Sequence, residues 1–244
     1  MAKQILQDCR IFVGSADLSG WSNKVEIKRA VEDKDVTNFR SGGAKEFIGG
    51  LGSSVIDVEG MFEATDLTMP DDVLDPNVGV VGPWTVTPND SVVGALAYLL
   101  NVLEGGYVIG GAVGDVAPFK ASGVGSWPRA RGAILSPPGA ARTVTGVGTS
   151  VQLGATAAGK YLYLALHVLS VAGTGSPTIT VRVEGDNSGA FSSPITLATF
   201  TAATAPGGQI LRVAGPVTDD WLRAAWTVSG SSPSFLAVVA AGIA

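Results

Sequence analysis

The chain has 244 residues, which is enough for one large β domain or two smaller ones. Hydrophobic residues make up 46% of it, and its 33 glycines and 13 prolines follow no fixed period, which is typical of short strands joined by many turns and excludes a collagen-like chain. The net charge of −5 argues against a protein that grips phosphate backbones, because such binding needs clustered Lys and Arg.

The first predicted elements are two short strands, at about residues 8–13 and 24–30. In the second strand, Val25 and Ile27 alternate with lysine and glutamate, which is the two-residue period of a half-buried strand. Cys9 is the only cysteine, so the chain cannot form an intrachain disulfide. The first twelve residues contain no continuous apolar stretch, and we expect no secretion signal.

A charged and glycine-rich stretch, VEDKDVTNFRSGGAKEFIGGLGS, occupies residues 31–53. A two-residue turn would be enough to join two neighbouring strands. Loops longer than about 12–15 residues are uncommon unless they are functional. We therefore predict a long unpaired arm here.

The next stretch, SSVIDVEGMFEATDL, is predicted to be a strand with one apolar and one acidic face. The apolar residues are Ile56, Val58 and Phe62, and the acidic residues are Asp57, Glu59 and Glu63. These carboxylates do not favour a glycosidase, because residues at two-residue intervals form a row along one face and not two groups opposed across a cleft.

One helix is predicted at about residues 90–104 and is expected to pack on a sheet. Its apolar residues recur at three- and four-residue steps, at Val92, Val93, Leu96, Leu99, Leu100 and Leu103. Asn89, Asp90 and Ser91 offer N-caps, and Gly105 and Gly106 offer a C-terminal stop. A glycine-interrupted pair of strands follows.

Residues 136–142, SPPGAAR, are the predicted linker between domains 1–135 and 143–244, because the two prolines lack a backbone donor and the glycine permits a turn. The charge balance also changes near this point. Residues 1–132 hold eleven Lys and Arg against seventeen Asp and Glu, whereas residues 133–244 hold five against four.

Regular spacing and turn signals in the second part predict an antiparallel β-sandwich. Its strands are expected at about residues 143–153, 160–171, 177–185, 194–201, 209–214, 220–229 and 234–243. The final apolar stretch, FLAVVAAGIA, is too short to span a bilayer and is predicted to be the last buried strand.

No motif points to catalysis, and we expect no enzyme, cofactor or metal site. The stretch GATAAGKY resembles a phosphate-binding loop, but Tyr161 replaces the residue that would hold magnesium, and a strand-like pattern follows where a helix is needed. His167 is the only histidine and is predicted to be a structural or surface residue. Asp71, Asp72 and Asp75 lack EF-hand spacing and indicate a solvated turn.

Four short phrases in the first half carry a family resemblance: Asp17–Gly20 (DLSG), Asp35–Phe39 (DVTNF), Lys45, and Ile48–Leu51 (IGGL). Together they resemble the tail tube (major tail) proteins of long-tailed siphophages, over roughly residues 5–132. The resemblance implies a β-barrel or sandwich with one flanking helix, six copies of which form a ring, with the rings stacked into a hollow tube. The second half is similar to the accessory β-sandwich domains that some phages append to structural proteins.

The resemblance also implies roles for particular residues. The arm is expected to reach a neighbouring ring through Asp33, Lys34, Asp35, Phe39, Arg40, Lys45 and Glu46, and to be mobile in the free subunit. DNA is expected to pass through the lumen without specific binding, because an acidic wall repels it. We therefore expect Asp57, Glu59 and Glu63 to face the lumen.

The expected partners are further copies of the chain together with the tape measure, tail terminator and distal tail proteins. The expected location is the virion tail, after synthesis in the host cytoplasm and without membrane insertion. Two alternatives stay open from the sequence. One is a module that binds carbohydrate or a cell surface through residues 143–244; the other is a different virion ring protein, such as a head-completion, distal tail or capsid decoration protein.

Overall fold

The computed structural model describes residues 6–63 and 70–244. These residues form antiparallel β-strands, with one short helix, α1 (Pro70–Leu74), followed by a single 3-10 turn (Asp75–Asn77). Fourteen strands are joined in one hydrogen-bonded network. The prediction of a mainly β protein is confirmed.

Eight strands lie in the first half of the chain. They are β1 (Arg10–Val13), β2 (Ala16–Asp17), β3 (Ser22–Asp35), β4 (Phe47–Met61), β5 (Val81–Thr87), β6 (Leu96–Ile109), β7 (Pro118–Gly125) and β8 (Ala130–Ser136). The strands predicted near residues 8–13 and 24–30 are present as β1 and β3, although β3 is longer than predicted.

The predicted alternation along β4 is confirmed. Ile56 and Val58 are fully buried, whereas Asp57 and Glu59 lie on the opposite face. Ile27 of β3 lies directly across from Ile56, so the apolar faces of the two strands coincide. The cluster beneath this face also includes Val25, Phe62, Leu74, Trp84, Leu100 and Phe119.

The helix predicted at residues 90–104 is wrong, because Leu96–Ile109 is the strand β6. Both faces of β6 are buried over residues 99–102: Leu100 packs in the cluster just described, and Leu99 packs in a second cluster. A strand buried on both faces carries apolar residues at adjacent as well as alternate positions, and this produces the three- and four-residue spacing of a helix. Gly106, predicted as part of the stop, lies at an irregularity in the pairing of β6 with β7.

Six strands follow in the second half: β9 (Gly146–Val147), β10 (Val151–Gln152), β11 (Tyr161–Asp186), β12 (Ile195–Thr199), β13 (Gly207–Ala214) and β14 (Trp221–Ile243). The strands predicted at 160–171 and 177–185 are one continuous strand, β11. Those predicted at 220–229 and 234–243 are likewise one strand, β14. The strand predicted at 143–153 is reduced to two pieces of two residues each.

The strands β11 and β14 pair with each other along almost their whole length. The register shifts between residues 172 and 178, where Gly173 and Gly175 have φ angles of 126° and 68°. Leu164, before this irregularity, and Val181, after it, belong to the same apolar cluster. The ribbon therefore folds back on itself and encloses this core between two layers of sheet, as in a β-sandwich.

The two halves of the chain share both a sheet and a core. β8 pairs with β6 of the first half on one side and with β14 on the other. A third cluster combines Phe12 and Leu99 of the first half with Tyr163 and Val238 of the second. The division into domains 1–135 and 143–244 stays a prediction. The apolar cluster just described contains residues from both sides of the predicted linker.

Arg142, the last residue of the predicted linker, bonds back to the linker and contacts the second half of the chain. Its guanidinium is buried and donates hydrogen bonds to the carbonyl oxygens of Pro137 (2.7 Å) and Pro138 (3.4 Å). It also stacks 5.2 Å from the ring centroid of Trp226. Burial lowers the pKa of Arg142 from its ordinary value.

His167 connects the two halves inside the protein. Its ring is fully buried, and Nδ1 lies 2.9 Å from the carbonyl oxygen of Gly14, which can only accept a hydrogen bond. Nδ1 therefore carries the proton, and Nε2 accepts a hydrogen bond from the Thr85 hydroxyl at 2.8 Å. Burial lowers the pKa of His167 to about 4, so the imidazole is neutral near pH 7. It is a structural histidine.

Candidate assembly interface

Residues 31–53 do not form the unpaired arm that was predicted. They form the end of a β-hairpin, in which Val31 lies opposite Gly52 and Asp35 lies opposite Phe47. Only residues 36–46 lie outside the two strands. The glycines and charges of this stretch obscured the strand pattern, because most of its side chains face solvent whichever way they point. We call residues 29–53 the arm hairpin.

The arm hairpin extends beyond the sheet. β4 pairs with β7 only from Val55 onward, so residues 30–35 and 47–53 pair only with each other within the described parts of the chain. At about 3.4 Å per residue, the paired part projects by about 20 Å. A two-stranded hairpin of this kind is only marginally stable in water without something to pack against.

The arm hairpin also exposes apolar side chains to solvent. They are Val31, Val36, Phe39, Phe47, Ile48 and Leu51. Phe39, at the loop, is fully exposed, and Leu51 is 76% exposed. Exposed apolar patches occur at surfaces where proteins, membranes or ligands bind. The sequence pattern located the segment but did not predict how these residues are presented.

The loop of the arm hairpin is shaped by its own hydrogen bonds. The Val36 amide donates to the Glu46 carbonyl oxygen at 2.9 Å, and the Glu46 amide donates to Thr37 Oγ1 at 3.0 Å. The Thr37 amide donates to Asp35 Oδ1 at 2.9 Å, and these contacts with Thr37 lower the pKa of Asp35. Mobility of this segment in a free subunit stays a prediction.

The predicted contact residues of the arm are all exposed to solvent. Lys34 forms an ion pair with Glu32 at 2.6 Å, and Lys45 lies 3.9 Å from Asp35. The remaining predicted residues, Asp33, Phe39, Arg40 and Glu46, lie in the same hairpin and are also open to a partner. Their contact with another subunit stays a prediction.

The carboxylates predicted to line a lumen do not form an acidic row. Asp57 lies 3.5 Å from Lys28, and Glu59 lies 3.1 Å from Lys24 and 3.3 Å from Lys120. Hydrogen bonds from Lys24 and then Lys120 lower the pKa of Glu59. Glu26 lies on the same face. The surface therefore holds as many carboxylates as ammonium groups and is balanced in charge; the groups are those of Glu26, Asp57, Glu59, Lys24, Lys28 and Lys120. We call it the charged ladder.

Glu63 does not belong to the charged ladder. It lies beyond the end of β4, where its carboxylate accepts a hydrogen bond from Nε1 of Trp21 at 2.8 Å. The alternation predicted for the strand therefore ends before this residue. Whether Asp57, Glu59 and Glu63 face a lumen stays a prediction.

An apolar stripe lies beside the charged ladder on the same face of the sheet. Val55, Val124, Leu103 and Val81 lie side by side on four neighbouring strands. The last three are between 40% and 49% exposed. This face can therefore pack against another protein surface while its charges stay paired.

The sequence motifs set aside earlier are explained by the structure. The phosphate-loop-like stretch is followed directly by β11 and not by a helix. Within residues 6–63 and 70–244, no group of three or more His, Cys, Asp or Glu side chains is placed to hold a metal ion. No helix in that described part has the length and apolar character needed to cross a membrane.

Two features of the structure were not predicted from the sequence. Glu104 is buried at 1% exposure, and neither carboxyl oxygen has a hydrogen-bond partner in the described structure. It was counted as part of a helix. The second feature is a group of arginines and a lysine near Tyr161, which come from separate strands and turns and so leave no local pattern.

No protein-family model and no curated protein matches the chain. Among solved structures, it is similar to a chain from the virion of a native gene transfer agent particle, with 20% identity and a TM-score of 0.44 over 54% of this chain and 100% of that one. It is also similar to a chain from the tail of an empty gene transfer agent particle refined with C6 symmetry, with 20% identity and a TM-score of 0.41 over 52% and 97%.

A third similar structure covers nearly the whole chain. It is the Dit protein of phage SPP1, with 9% identity and a TM-score of 0.36 over 98% of this chain and 100% of that one. The neighbours are thus proteins of phage and gene transfer agent particles. With TM-scores below 0.5, these likenesses do not assign a family or a function to this chain.

Proposed function

We propose that this chain is a structural protein of a phage tail, and more specifically the tail tube subunit, which assembles into stacked six-membered rings around a channel for DNA. The observation that carries the proposal is the arm hairpin. The sequence phrases that resemble tail tube proteins lie in and around the same segment, at residues 17–20, 35–39 and 48–51.

The arm hairpin is suited to joining copies of the chain. It projects by about 20 Å and exposes six apolar side chains, so its stable form is one packed against another molecule. A projecting segment that docks elsewhere on an identical copy makes a head-to-tail contact. Such contacts close into rings or continue as filaments, depending on the rotation between copies.

The charged ladder is compatible with a channel wall that DNA passes without binding. Strong binding to duplex DNA depends on cationic groups that replace counterions along the phosphates. In the ladder, each lysine lies beside a carboxylate. We propose that Asp57 and Glu59 line the lumen as members of this neutral surface, with Glu63 near its edge, and not as a repelling acidic wall.

The proposed partners are further copies of the chain along the tube and the tape measure, terminator and distal tail proteins within it and at its ends. The proposed role is structural and not enzymatic. A different virion ring protein is the main alternative, and it differs in one outcome: its rings would form without stacking. A carbohydrate-binding module would remain monomeric and would bind sugar saturably.

The arm can be tested by removing its apolar side chains. The double variant Phe39→Ser, Leu51→Ser is expected to fold like the wild type, because both side chains are exposed, but to need a subunit concentration at least about tenfold higher to assemble. Sedimentation velocity over a concentration series measures the assembly midpoint, which is the subunit concentration at which half of the chains have assembled.

The matched control is Val144→Ser in the second half, where the valine is 71% exposed, close to the 76% of Leu51. Assembly of this control is expected to equal that of the wild type. If the arm variant assembled as readily as the control, the arm would not be the contact between subunits.

A further inference from the structure

An open groove of about 460 Å³ lies at the base of the arm hairpin. Arg29 of β3, Arg129 and Arg131 around the start of β8, and Lys160 before β11 line it, together with the rings of Tyr161 and Tyr163. Arg212 of β13 lies beside it, 4.9 Å from the ring centroid of Tyr161. We call these five cationic residues and their surroundings the basic groove.

The cations of the basic groove have no acidic partner among the residues that the structure describes. None of the five forms an ion pair with an Asp or Glu in the described parts of the chain. Aromatic rings hold two of them instead: Arg129 lies 4.7 Å from the centroid of Tyr98, and Arg212 lies 4.9 Å from that of Trp127. Nε of Arg129 is buried without a hydrogen-bond partner.

Four cations that line one groove, with Arg212 beside it, form no ion pair in the described structure, and in a chain of net charge −5 they indicate a site for an anionic partner. Nucleic acid is the less favoured occupant. Binding to single strands uses aromatic rings on which bases stack, and here the rings of Trp127 and Tyr161 are already covered by Arg212. The acidic balance of the whole chain also opposes a phosphate polymer.

A complementary acidic segment begins just beyond the end of β4. Asp71 and Asp72 of α1, with Asp75 after it, form no ion pair within the described residues. Asp72 and Asp75 are exposed. The amide of Asp71 donates to the Glu63 carbonyl oxygen at 3.4 Å, which places α1 just beyond the end of β4.

The basic groove and this acidic segment form no ion pair with each other within the described residues of one molecule. Ser54 of β4 lies opposite Arg29 at the groove end, and Met61 is the last residue of the strand. At about 3.3 Å per residue, the two ends of this stretch are about 23 Å apart. Asp71, which follows the end of β4, therefore lies far along the strand from Arg29.

We propose that the basic groove of one copy receives the acidic segment at α1 of a second copy. This contact rests on the proposed self-assembly and names the second surface that the arm hairpin works with, because the groove lies at the base of the arm. It is a head-to-tail contact, as ring closure or stacking requires. Its charges would also steer copies into one orientation.

A charge exchange tests the proposal. The groove variant Arg131→Glu, Lys160→Glu changes two exposed residues, as does the acidic-segment variant Asp72→Arg, Asp75→Arg. Each alone is expected to raise the assembly midpoint at least about tenfold, because like charges then face each other. The combined variant has the net charge of the wild type and is expected to return to within about threefold of its midpoint. Circular dichroism of each variant checks that the subunit is folded.

The outcomes separate the two proposals. If the wild type assembles and the groove variant assembles equally well, or if the combined variant fails to recover while folded, the groove contact is overturned and the proposed function stands. If the wild type never associates, both fail. A short fluorescent oligonucleotide that bound the wild type but not the groove variant, with assembly unchanged in both, would identify the groove as a nucleic-acid site and overturn the proposal.

Discussion

Replacing Glu104 by glutamine should stabilise the protein increasingly as pH rises. The carboxyl group of Glu104 is almost completely buried and has no hydrogen-bond partner in the described structure. Burial, and secondarily the charge of Asp75, raises the pKa of Glu104 from 4.5 to about 8. In the unfolded chain the same group loses its proton near its ordinary value.

The direction of this pH dependence follows from the number of protons that Glu104 binds in the folded and in the unfolded state. Above pH 4.5 the unfolded chain has lost this proton, whereas the folded chain keeps it up to about pH 8. The contribution of Glu104 to stability is thus fully present below pH 4.5 and is lost as pH rises through this window. The slope is about 1.4 kcal/mol per pH unit, so between about pH 5 and about pH 7.5 the wild type loses about 3 kcal/mol from this group alone.

The assay is urea unfolding followed by tryptophan fluorescence at dilute subunit concentration, for the wild type and Glu104→Gln at both pH values. The stability difference between the two is expected to shift by about 3 kcal/mol in favour of the variant at the higher pH. Other titrating groups are present in both proteins and cancel in this difference. The matched control Glu46→Gln makes the same chemical change at an exposed position. A difference that stayed constant with pH would refute the assignment of Glu104 as a buried, neutral acid.

Three further predictions concern the join between the two halves of the chain. Relative to the wild type, His167→Gln should gain about 3 kcal/mol of stability as the pH is lowered from about 6.5 to about 4, because the unfolded chain binds a proton that the buried imidazole does not bind. Urea titrations at the two pH values measure this gain, and an equal change in the stability of both proteins would contradict it. Gly132→Ala should destabilise the protein by about 2–3 kcal/mol, because the new Cβ would meet the Ala241 carbonyl oxygen, whereas Gly82→Ala, where the space is open, should be nearly neutral in thermal unfolding. The fragment 1–142 should bind a hydrophobic dye and lack a cooperative transition, because it leaves Phe12 and Leu99 without their partners from the second half; a fragment that folds cooperatively would support the predicted domain boundary.

The sequence predicted well where a strand has one buried and one exposed face. Ile56 and Val58 alternate with Asp57 and Glu59, and the structure buries the first pair while exposing the second pair in part. It failed for β6, because a strand between two cores has no polar face to reveal its two-residue period.

Glycine-rich stretches in the second half were interpreted as strand ends, although they lie inside strands. Gly173 and Gly175 lie where the β11–β14 ribbon changes register, and the chain continues in the same strand on both sides. A local pattern cannot distinguish a turn that ends a strand from a bend within it, because both require the same backbone conformation. The arm was misjudged for a similar reason, as its glycines hid a paired strand.

The two features with the clearest interaction chemistry were the hardest to predict. The basic groove collects Arg29, Arg129, Arg131, Lys160 and Arg212 from distant parts of the chain, so only the three-dimensional pairing of strands brings them together. The charged ladder likewise depends on register, because each lysine lies beside a carboxylate on its own or a neighbouring strand. From the sequence only the carboxylates of β4 stood out, without the lysines that neutralise them.

Electron microscopy of the purified full chain over a concentration series shows whether its copies assemble into rings that stack into a tube. We expect six-fold rings with a pore wide enough for a DNA duplex, stacking into hollow tubes as the concentration rises. Particles that remain single subunits at every concentration, including concentrations at which weak association would be evident, would overturn the proposed assembly.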